Sequence, residues 1–136
     1  MFPSNTRILI IDDMKTMRLV MKKSLTGLGF TTIAEADDGE TAWPMIQQAA
    51  SSGSPYQLIL SDWNMPKMKG LELLKLVRTA DNLKNTPFIL VTAESEGDQV
   101  KLALTSGVSH YIVKPFTAET LQERLKTVFA KTVAGK

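Results

Sequence analysis

Hydrophobic and polar positions follow two alternating patterns along the chain. Short apolar runs rich in β-branched residues predict five strands, at residues 7–11, 31–36, 58–61, 88–91 and 111–113. Apolar residues that recur every three to four positions predict five helices, at residues 14–28, 40–50, 70–79, 98–105 and beyond Thr117. This alternation favours an α/β fold, in which helices cover both faces of a parallel sheet.

The helical spacing also predicts which side chains face the core. They are Met17, Val20, Met21, Leu25 and Leu28 in the first helix, Leu71, Leu74 and Val77 in the third, Val100, Ala103 and Leu104 in the fourth, and Leu121, Leu125, Val128 and Phe129 in the fifth. Gly29 is placed to end the first helix, and Thr117 to cap the fifth. Pro44 falls inside the second helix, where it should remove a backbone hydrogen bond and kink the helix, at a cost of about 3 kcal/mol.

Length and composition restrict the class of protein. The 136 residues suffice for one domain and are too few for two, so we expect a single domain over residues 1–136, with its core from about residue 6 to 130. The net charge of +2 is too small to indicate a nucleic-acid partner, and no apolar run is long enough for a membrane span. Because residues 1–7 lack the pattern of a signal peptide, we expect a cytoplasmic protein.

Polar side chains stand directly at the ends of four predicted strands. Asp12 and Asp13 follow the first strand, Asp62 the third and Lys114 the fifth, and Thr92 follows the fourth. Taken singly, each has an ordinary structural explanation, such as a helix cap, a turn residue, a loop hydroxyl or a solvated lysine. Because the carboxyl ends of parallel strands meet at one edge of a sheet, we expect these side chains to converge.

The expected convergence predicts a metal site and a reaction. Three carboxylates at one edge repel each other, and a hard divalent cation relieves the repulsion. The chain has no cysteine and a single histidine, His110, so oxygen ligands and Mg²⁺ or a similar ion are favoured. Beside Mg²⁺, Asp62 can attack a phosphoryl group and become an aspartyl phosphate, while Lys114 and Thr92 bind the phosphoryl oxygens.

Two other functions share parts of this pattern. A Mg²⁺-dependent phosphatase acting on small molecules would use the same aspartyl-phosphate chemistry, but it needs a cap or a substrate pocket, and the predicted connections are short. A flavodoxin-like module that binds a nucleotide needs a phosphate-binding loop after the first strand. Asp12 and Asp13 stand there and would repel phosphate in the absence of a metal.

The motifs resemble the receiver domain of two-component response regulators, over nearly the whole chain. They are Ile11-Asp12-Asp13, Asp62 with Met65-Pro66 and Gly70, Val91-Thr92-Ala93, and Tyr111 before Lys114-Pro115-Phe116. Within this family, the segments 62–66 and 92–94 are similar to the single-domain chemotaxis regulators of the CheY-like type. The resemblance implies a flavodoxin-like, doubly wound (βα)5 three-layer sandwich with the parallel sheet order 2-1-3-4-5, formed by a single receiver domain.

The resemblance also implies a role for each residue at the site. Asp62 would take a phosphoryl group from the phosphohistidine of a sensor kinase. Asp13, Asp62 and the backbone carbonyl of Asn64 would bind Mg²⁺ directly, and Asp12 would bind it through water. Lys114 would contact the phosphoryl group and precede a cis peptide bond to the next proline.

Residues that transmit the signal follow from the same resemblance. Thr92 would move toward the phosphoryl group and the ring of Tyr111 would rotate inward. These movements would reshape the face of the fourth helix, the fifth strand and the fifth helix, where targets bind. Ala93 would leave access to the phosphoacceptor, and Asn64 and Glu94 would tune the lifetime of the phosphoryl group.

The implied protein is a signalling switch and not an enzyme, because it catalyses only its own phosphorylation and dephosphorylation. Its implied partners are a CheA-like sensor histidine kinase and a downstream target, such as a flagellar switch protein or a phosphatase. We expect a monomer with no nucleic-acid partner and no membrane insertion. Lys69 stands where the family often has aspartate, and residues 94–98 are acidic where chemotaxis members often carry basic residues. The output target is left open between the flagellar motor and a phosphate sink.

Overall fold

The computed structural model describes residues 1–93 and 97–132. Within these residues, five strands alternate with five helices, as the hydrophobic pattern predicts. The strands are β1 (Arg7–Ile11), β2 (Thr32–Ala36), β3 (Leu58–Asp62), β4 (Phe88–Thr92) and β5 (His110–Val113). The helices are α1 (Lys15–Gly27), α2 (Gly39–Ser51), α3 (Gly70–Thr79), α4 (Gly97–Thr105) and α5 (Ala118–Thr132).

All five strands lie parallel in one sheet with the order β2-β1-β3-β4-β5. This confirms the predicted fold class and sheet order. β3 occupies the centre between β1 and β4, and all of its residues are buried, which agrees with the apolar start of its sequence, Leu58 to Leu60. β2 lies at one edge and is partly exposed, in agreement with its more polar composition.

The side chains of the strands feed two separate cores, one on each face of the sheet. In β1, Leu9 and Ile11 pack with α2, α3 and α4, whereas Ile8 and Ile10 pack with α1 and α5. β3 divides in the same way, with Ile59 on the first face and its neighbours on the second. The result is the three-layer arrangement of helices, sheet and helices.

Two of the predicted core positions are wrong among those whose side chains the structure describes, and the side chain of Val100 lies outside that part. Val20 in α1 is 47% exposed and Leu104 in α4 is 53% exposed. Each is adjacent in sequence to a fully buried residue, Met21 or Ala103, and consecutive helical residues point about 100° apart. A helix that lies flat on a sheet buries a narrow stripe, and these two side chains fall outside it.

The helix ends agree with their predicted signals. Gly29 follows α1 with a φ of 102°, a left-handed conformation that favours glycine. The Thr117 hydroxyl accepts a hydrogen bond from the backbone N–H of Thr120 at 3.1 Å and caps α5. α2 continues without interruption through Pro44.

None of the helices in the described part of the chain has the length and apolar character needed to cross a membrane.

Candidate functional site

Three carboxylates meet at the carboxyl edge of the sheet, where the strand ends place them. Asp62 is the last residue of β3, and Asp12 and Asp13 follow β1, its neighbour in the sheet. One carboxylate oxygen from each lies within 4.8 Å of those of the other two. Asp12 is fully buried and Asp62 is 7% exposed, whereas Asp13 is open to solvent.

Lys114 reaches this cluster from the end of β5. Its Nζ lies 3.0 Å from Oδ2 of Asp12 and 3.1 Å from Oδ1 of Asp62. The backbone N–H of Lys114 donates to the carbonyl of Thr92 at 2.7 Å, which fixes the lysine against the end of β4. The peptide bond between Lys114 and Pro115 is cis, as the resemblance implies. One cation thus bridges two carboxylates from neighbouring strands.

The surroundings of Asp62 disfavour the negative charge on its carboxylate, although Lys114 lies close by. Burial and the charge of Asp12 raise the pKa of Asp62 above its ordinary value, and these effects outweigh the opposing charge of Lys114. Burial lowers the pKa of Lys114, but its hydrogen bonds and charge interactions with the two aspartates outweigh this effect. The pKa of Lys114 is therefore raised and its ammonium group stays charged.

Two further contacts hold Asp12. The backbone N–H of Met14 donates to Oδ1 of Asp12 at 2.9 Å. Nη1 of Arg18 donates to the backbone carbonyl of Asp12 at 2.6 Å, and Nε of the same guanidinium pairs with Glu35 at 3.3 Å. Nothing in the sequence pattern singles out Arg18, because an arginine within an amphipathic helix is ordinary. The contact depends on how α1 packs beside β2.

The loop after β3 folds back onto Asp62. The backbone N–H of Gly70 donates to the carbonyl of Trp63 at 3.0 Å, and a Cβ atom at Gly70 would overlap the backbone carbonyl oxygen of Asp62. Lys67 in this loop has a left-handed φ of 68°. Only glycine fits at position 70, so the absence of a side chain there lets the loop pack directly against the backbone of Asp62.

Among the remaining predicted site residues that the structure describes, Thr92, Ala93 and Asn64 lie at this edge, whereas Tyr111 lies within β5, opposite Leu90 of β4. Thr92 ends β4 and is buried, Ala93 follows it and is exposed, and Tyr111 is half-buried in β5. Asn64 is exposed in the loop two residues after the central aspartate. Glu94 lies outside the described residues. The predicted roles of these residues in switching and in the phosphoryl lifetime stay predictions.

The donor set of the cluster fits a hard divalent cation such as Mg²⁺. Asp12, Asp13 and Asp62 offer only carboxylate oxygens, and their mutual repulsion is the kind that such an ion relieves. A carboxylate nucleophile, a fixed ammonium group and a candidate metal site together suit phosphoryl transfer, in which positioning and charge neutralisation supply most of the catalysis.

Comparison with known families and proteins shows what this chain is similar to. The family described as the response regulator receiver domain matches residues 8–126. The chain is 47% identical over 125 residues to the chemotaxis protein CheY of Pseudomonas aeruginosa, covering 92% of this chain and 97% of that protein. It is 45% identical over 127 residues to the chemotaxis protein CheY-3 of Vibrio cholerae, covering 93% of this chain and 94% of that protein.

Solved structures with the same fold include a chemotaxis regulator. The chemotaxis response regulator CheY4 of Vibrio cholerae superposes with a TM-score of 0.81 at 31% identity, over 91% of this chain and 98% of that chain. The receiver domain of a signal transduction histidine kinase from Syntrophus aciditrophicus superposes with a TM-score of 0.79 at 26% identity, over 94% of this chain and 92% of that chain.

Proposed function

The chain belongs to the response regulator receiver family, as a member of the CheY chemotaxis type, and we propose that it is a switch phosphorylated on Asp62. Proteins of this type are signalling switches and not classical enzymes. This disfavours the alternative hypothesis that the protein is a phosphatase acting on small molecules. One observation carries the proposal. Lys114 bridges Asp12 and Asp62 at 3.0 and 3.1 Å, beside a cluster of three carboxylates that fits Mg²⁺.

In the proposed reaction, a carboxylate oxygen of Asp62 attacks the phosphorus of a phosphohistidine on a sensor kinase. A P–O bond forms, the P–N bond breaks, and the imidazole nitrogen leaves with the electron pair. Bound Mg²⁺ would supply neutralisation of the charge on the phosphoryl oxygens, with Asp12, Asp13, Asp62 and the carbonyl of Asn64 as its proposed ligands.

The protein's own groups position the phosphoryl oxygens. Lys114 has three N–H donors, and the two aspartates occupy two of them, so one donor remains for the transferred group. The hydroxyl of Thr92 is proposed as a second donor, and Ala93 leaves the approach open because its side chain is small. In a separate dephosphorylation step, water attacks the phosphorus, the P–O bond to Asp62 breaks, and inorganic phosphate leaves while the carboxylate is regenerated. Asn64 and Glu94 are proposed to set the lifetime of the phosphoryl group.

The phosphoryl group is proposed to control partner binding at a distance. Movement of Thr92 toward the phosphoryl group and rotation of Tyr111 would favour one of two arrangements of the α4-β5-α5 face. The proposed partners are a CheA-like histidine kinase and a target that is a flagellar switch protein or a phosphatase. We place this single receiver domain in the cytoplasm as a monomer.

Phosphorylation by a small donor tests this proposal directly. The protein is incubated with acetyl phosphate and Mg²⁺, and intact mass spectrometry follows the mass of one phosphoryl group. We expect the adduct in the wild type, none in Asp62→Asn, and none when EDTA removes the metal. Asp37→Asn is the matched control, because Asp37 is an exposed carboxylate that follows β2, a strand of the same sheet that is not adjacent to β3. Equal labelling of wild type and Asp62→Asn would overturn the proposal.

A further inference from the structure

A basic cleft lies at the opposite edge of the sheet from Asp62. It has a volume of about 320 Å³ and is bordered by the end of α3, the loop before β4, the turn between α4 and β5, and the end of α5. Three cationic side chains line it, namely Arg78, Lys84 and Lys131, and no carboxylate is among the described residues that line it.

Arg78 is held rigidly in the wall of this cleft. Its Nε donates to the carbonyl of Gly107 at 2.7 Å and its Nη1 to the carbonyl of Thr86 at 2.6 Å, while Nη2 lies 3.3 Å from Oγ of Ser109. These contacts use three of the five N–H groups of the guanidinium, so two donors remain. Burial lowers the pKa of Arg78, and no described carboxylate lies within ion-pair distance to compensate its charge.

Lys131, in α5, contacts Ser109, which Arg78 also contacts. Its Nζ donates to the backbone carbonyl of Ser109 at 3.0 Å, so a guanidinium and an ammonium group both contact Ser109. Ser109 is 7% exposed, and its Oγ accepts from the backbone N–H of Phe88 at 3.0 Å. Its hydroxyl proton has no acceptor among the described residues. Neither Lys131 nor Lys84 forms an ion pair within the described part of the chain.

We propose that this cleft binds an anion of the phosphate type, either free phosphate or the phosphate group of a small molecule. A fixed guanidinium with free donors matches the oxygens of a phosphate, and two nearby ammonium groups favour a dianion over a singly charged carboxylate. The volume of about 320 Å³ lies at the lower end of the range of about 300–1,000 Å³ for small-ligand pockets. The site is separate from the proposed phosphoacceptor and needs no Mg²⁺.

Titration with inorganic phosphate, followed by amide chemical shifts in NMR, tests this site. The buffer contains EDTA and no Mg²⁺, and potassium chloride at equal ionic strength is the reference. We expect saturable shifts of the amides of Gly107 and Ser109, with those of Asp62 and Thr92 unchanged. In Lys84→Gln/Lys131→Gln the dissociation constant should rise about tenfold, because two charge-assisted contacts are lost.

The matched control variant removes two lysines that lie outside the cleft. Lys23→Gln/Lys126→Gln carries the same loss of charge at exposed positions, and its dissociation constant should stay within about twofold of the wild type. Equal weakening in both double variants, or shifts that potassium chloride reproduces, would overturn the proposal, because either result reflects only general charge attraction.

Two further arms identify the source of the phosphate and separate the two proposals. Glycerol 3-phosphate is compared with inorganic phosphate, and tighter binding of the ester indicates a small phosphorylated molecule, whereas equal binding indicates free phosphate. Asp62→Asn should bind phosphate in the cleft as the wild type does. Lys84→Gln/Lys131→Gln should accept a phosphoryl group from acetyl phosphate at the wild-type level. Loss of cleft binding in Asp62→Asn would overturn the independence of the site.

Discussion

The ammonium nitrogen of Lys114 lies 3.1 Å from a carboxylate oxygen of Asp62, across 52 residues of sequence. The same nitrogen lies 3.0 Å from the fully buried carboxylate of Asp12. Because one cation serves two carboxylates on neighbouring strands, its removal leaves an uncompensated buried charge and restores the repulsion between the two aspartates.

We therefore expect Lys114→Met to destabilise the metal-free protein by about 3 kcal/mol. Urea unfolding with EDTA measures the loss, and Mg²⁺ should reduce it because the ion replaces the missing positive charge. Lys75→Met, at an exposed position of α3, is the control and should change the free energy of unfolding by less than about 0.5 kcal/mol. Equal destabilisation by both substitutions would contradict this account of Lys114.

Asp62→Asn should stabilise the metal-free protein. Burial and the charge of Asp12 disfavour the ionised carboxylate of Asp62, and asparagine keeps its shape without its charge. Mg²⁺ should reduce or reverse this advantage of the variant. At a concentration about one hundred times its dissociation constant for the wild type, the ion stabilises the wild type by about 2.7 kcal/mol, and it stabilises the variant by less. Thermal unfolding with and without Mg²⁺ measures both effects, and a lower melting temperature for metal-free Asp62→Asn would contradict them.

Gly70→Ala should disturb the site through sterics alone. The new Cβ would overlap the backbone carbonyl of Asp62 and lie 2.9 Å from Cδ2 of Leu90, so we expect a loss of about 1–3 kcal/mol. Phosphorylation by acetyl phosphate should slow as well, because the loop has to move away from Asp62. Gly27→Ala is the matched control, because the added Cβ would meet no atom within 4 Å apart from its chain neighbours and the backbone of its own helix. The control should be neutral or stabilising by up to about 1 kcal/mol.

The ends of the strands show why much of this site could be predicted from the sequence. An apolar run such as residues 58–60 is stable in water only when buried, so the first charged residue after it, Asp62, is expected at an edge of the sheet. The predicted strand bounds differ from the observed ones by at most one residue at either end. The order of the strands is a different matter, because it was implied by family motifs and not by periodicity.

The supporting contacts could not be predicted in this way. The hydrogen bond from Arg18 to the carbonyl of Asp12 depends on the position of α1 beside β2. Hydrophobic spacing shows roughly which side of a helix is buried, but it does not fix the rotation of the helix about its axis to within one residue. The same uncertainty explains the wrong prediction for Val20. Likewise, the cleft around Ser109 joins four segments that have no common motif.

The protonation of His110 predicts a pH dependence of stability away from the phosphoacceptor site. Burial and the positive charges of Arg124 and Lys131 lower the pKa of His110, and the opposing effects of the Tyr111 backbone and of Glu123 do not compensate. Nδ1 of the ring accepts the backbone N–H of Tyr111 at 2.8 Å, so the neutral form carries its proton on Nε2. The folded protein therefore resists protonation of this ring more than the unfolded chain does.

Because the pKa is lowered on folding, the unfolded state binds more protons as the pH falls below about 6.5, the ordinary value for histidine. The contribution of His110 to the free energy of unfolding should be complete above that pH and decline below it, until the ring protonates in the folded state as well. His110→Asn keeps an acceptor for the N–H of Tyr111 and does not titrate. Urea unfolding at several pH values between about 5 and 8 should show a decline in the wild type that exceeds the decline in His110→Asn. Parallel curves for the two proteins would mean that the ring titrates alike in both states.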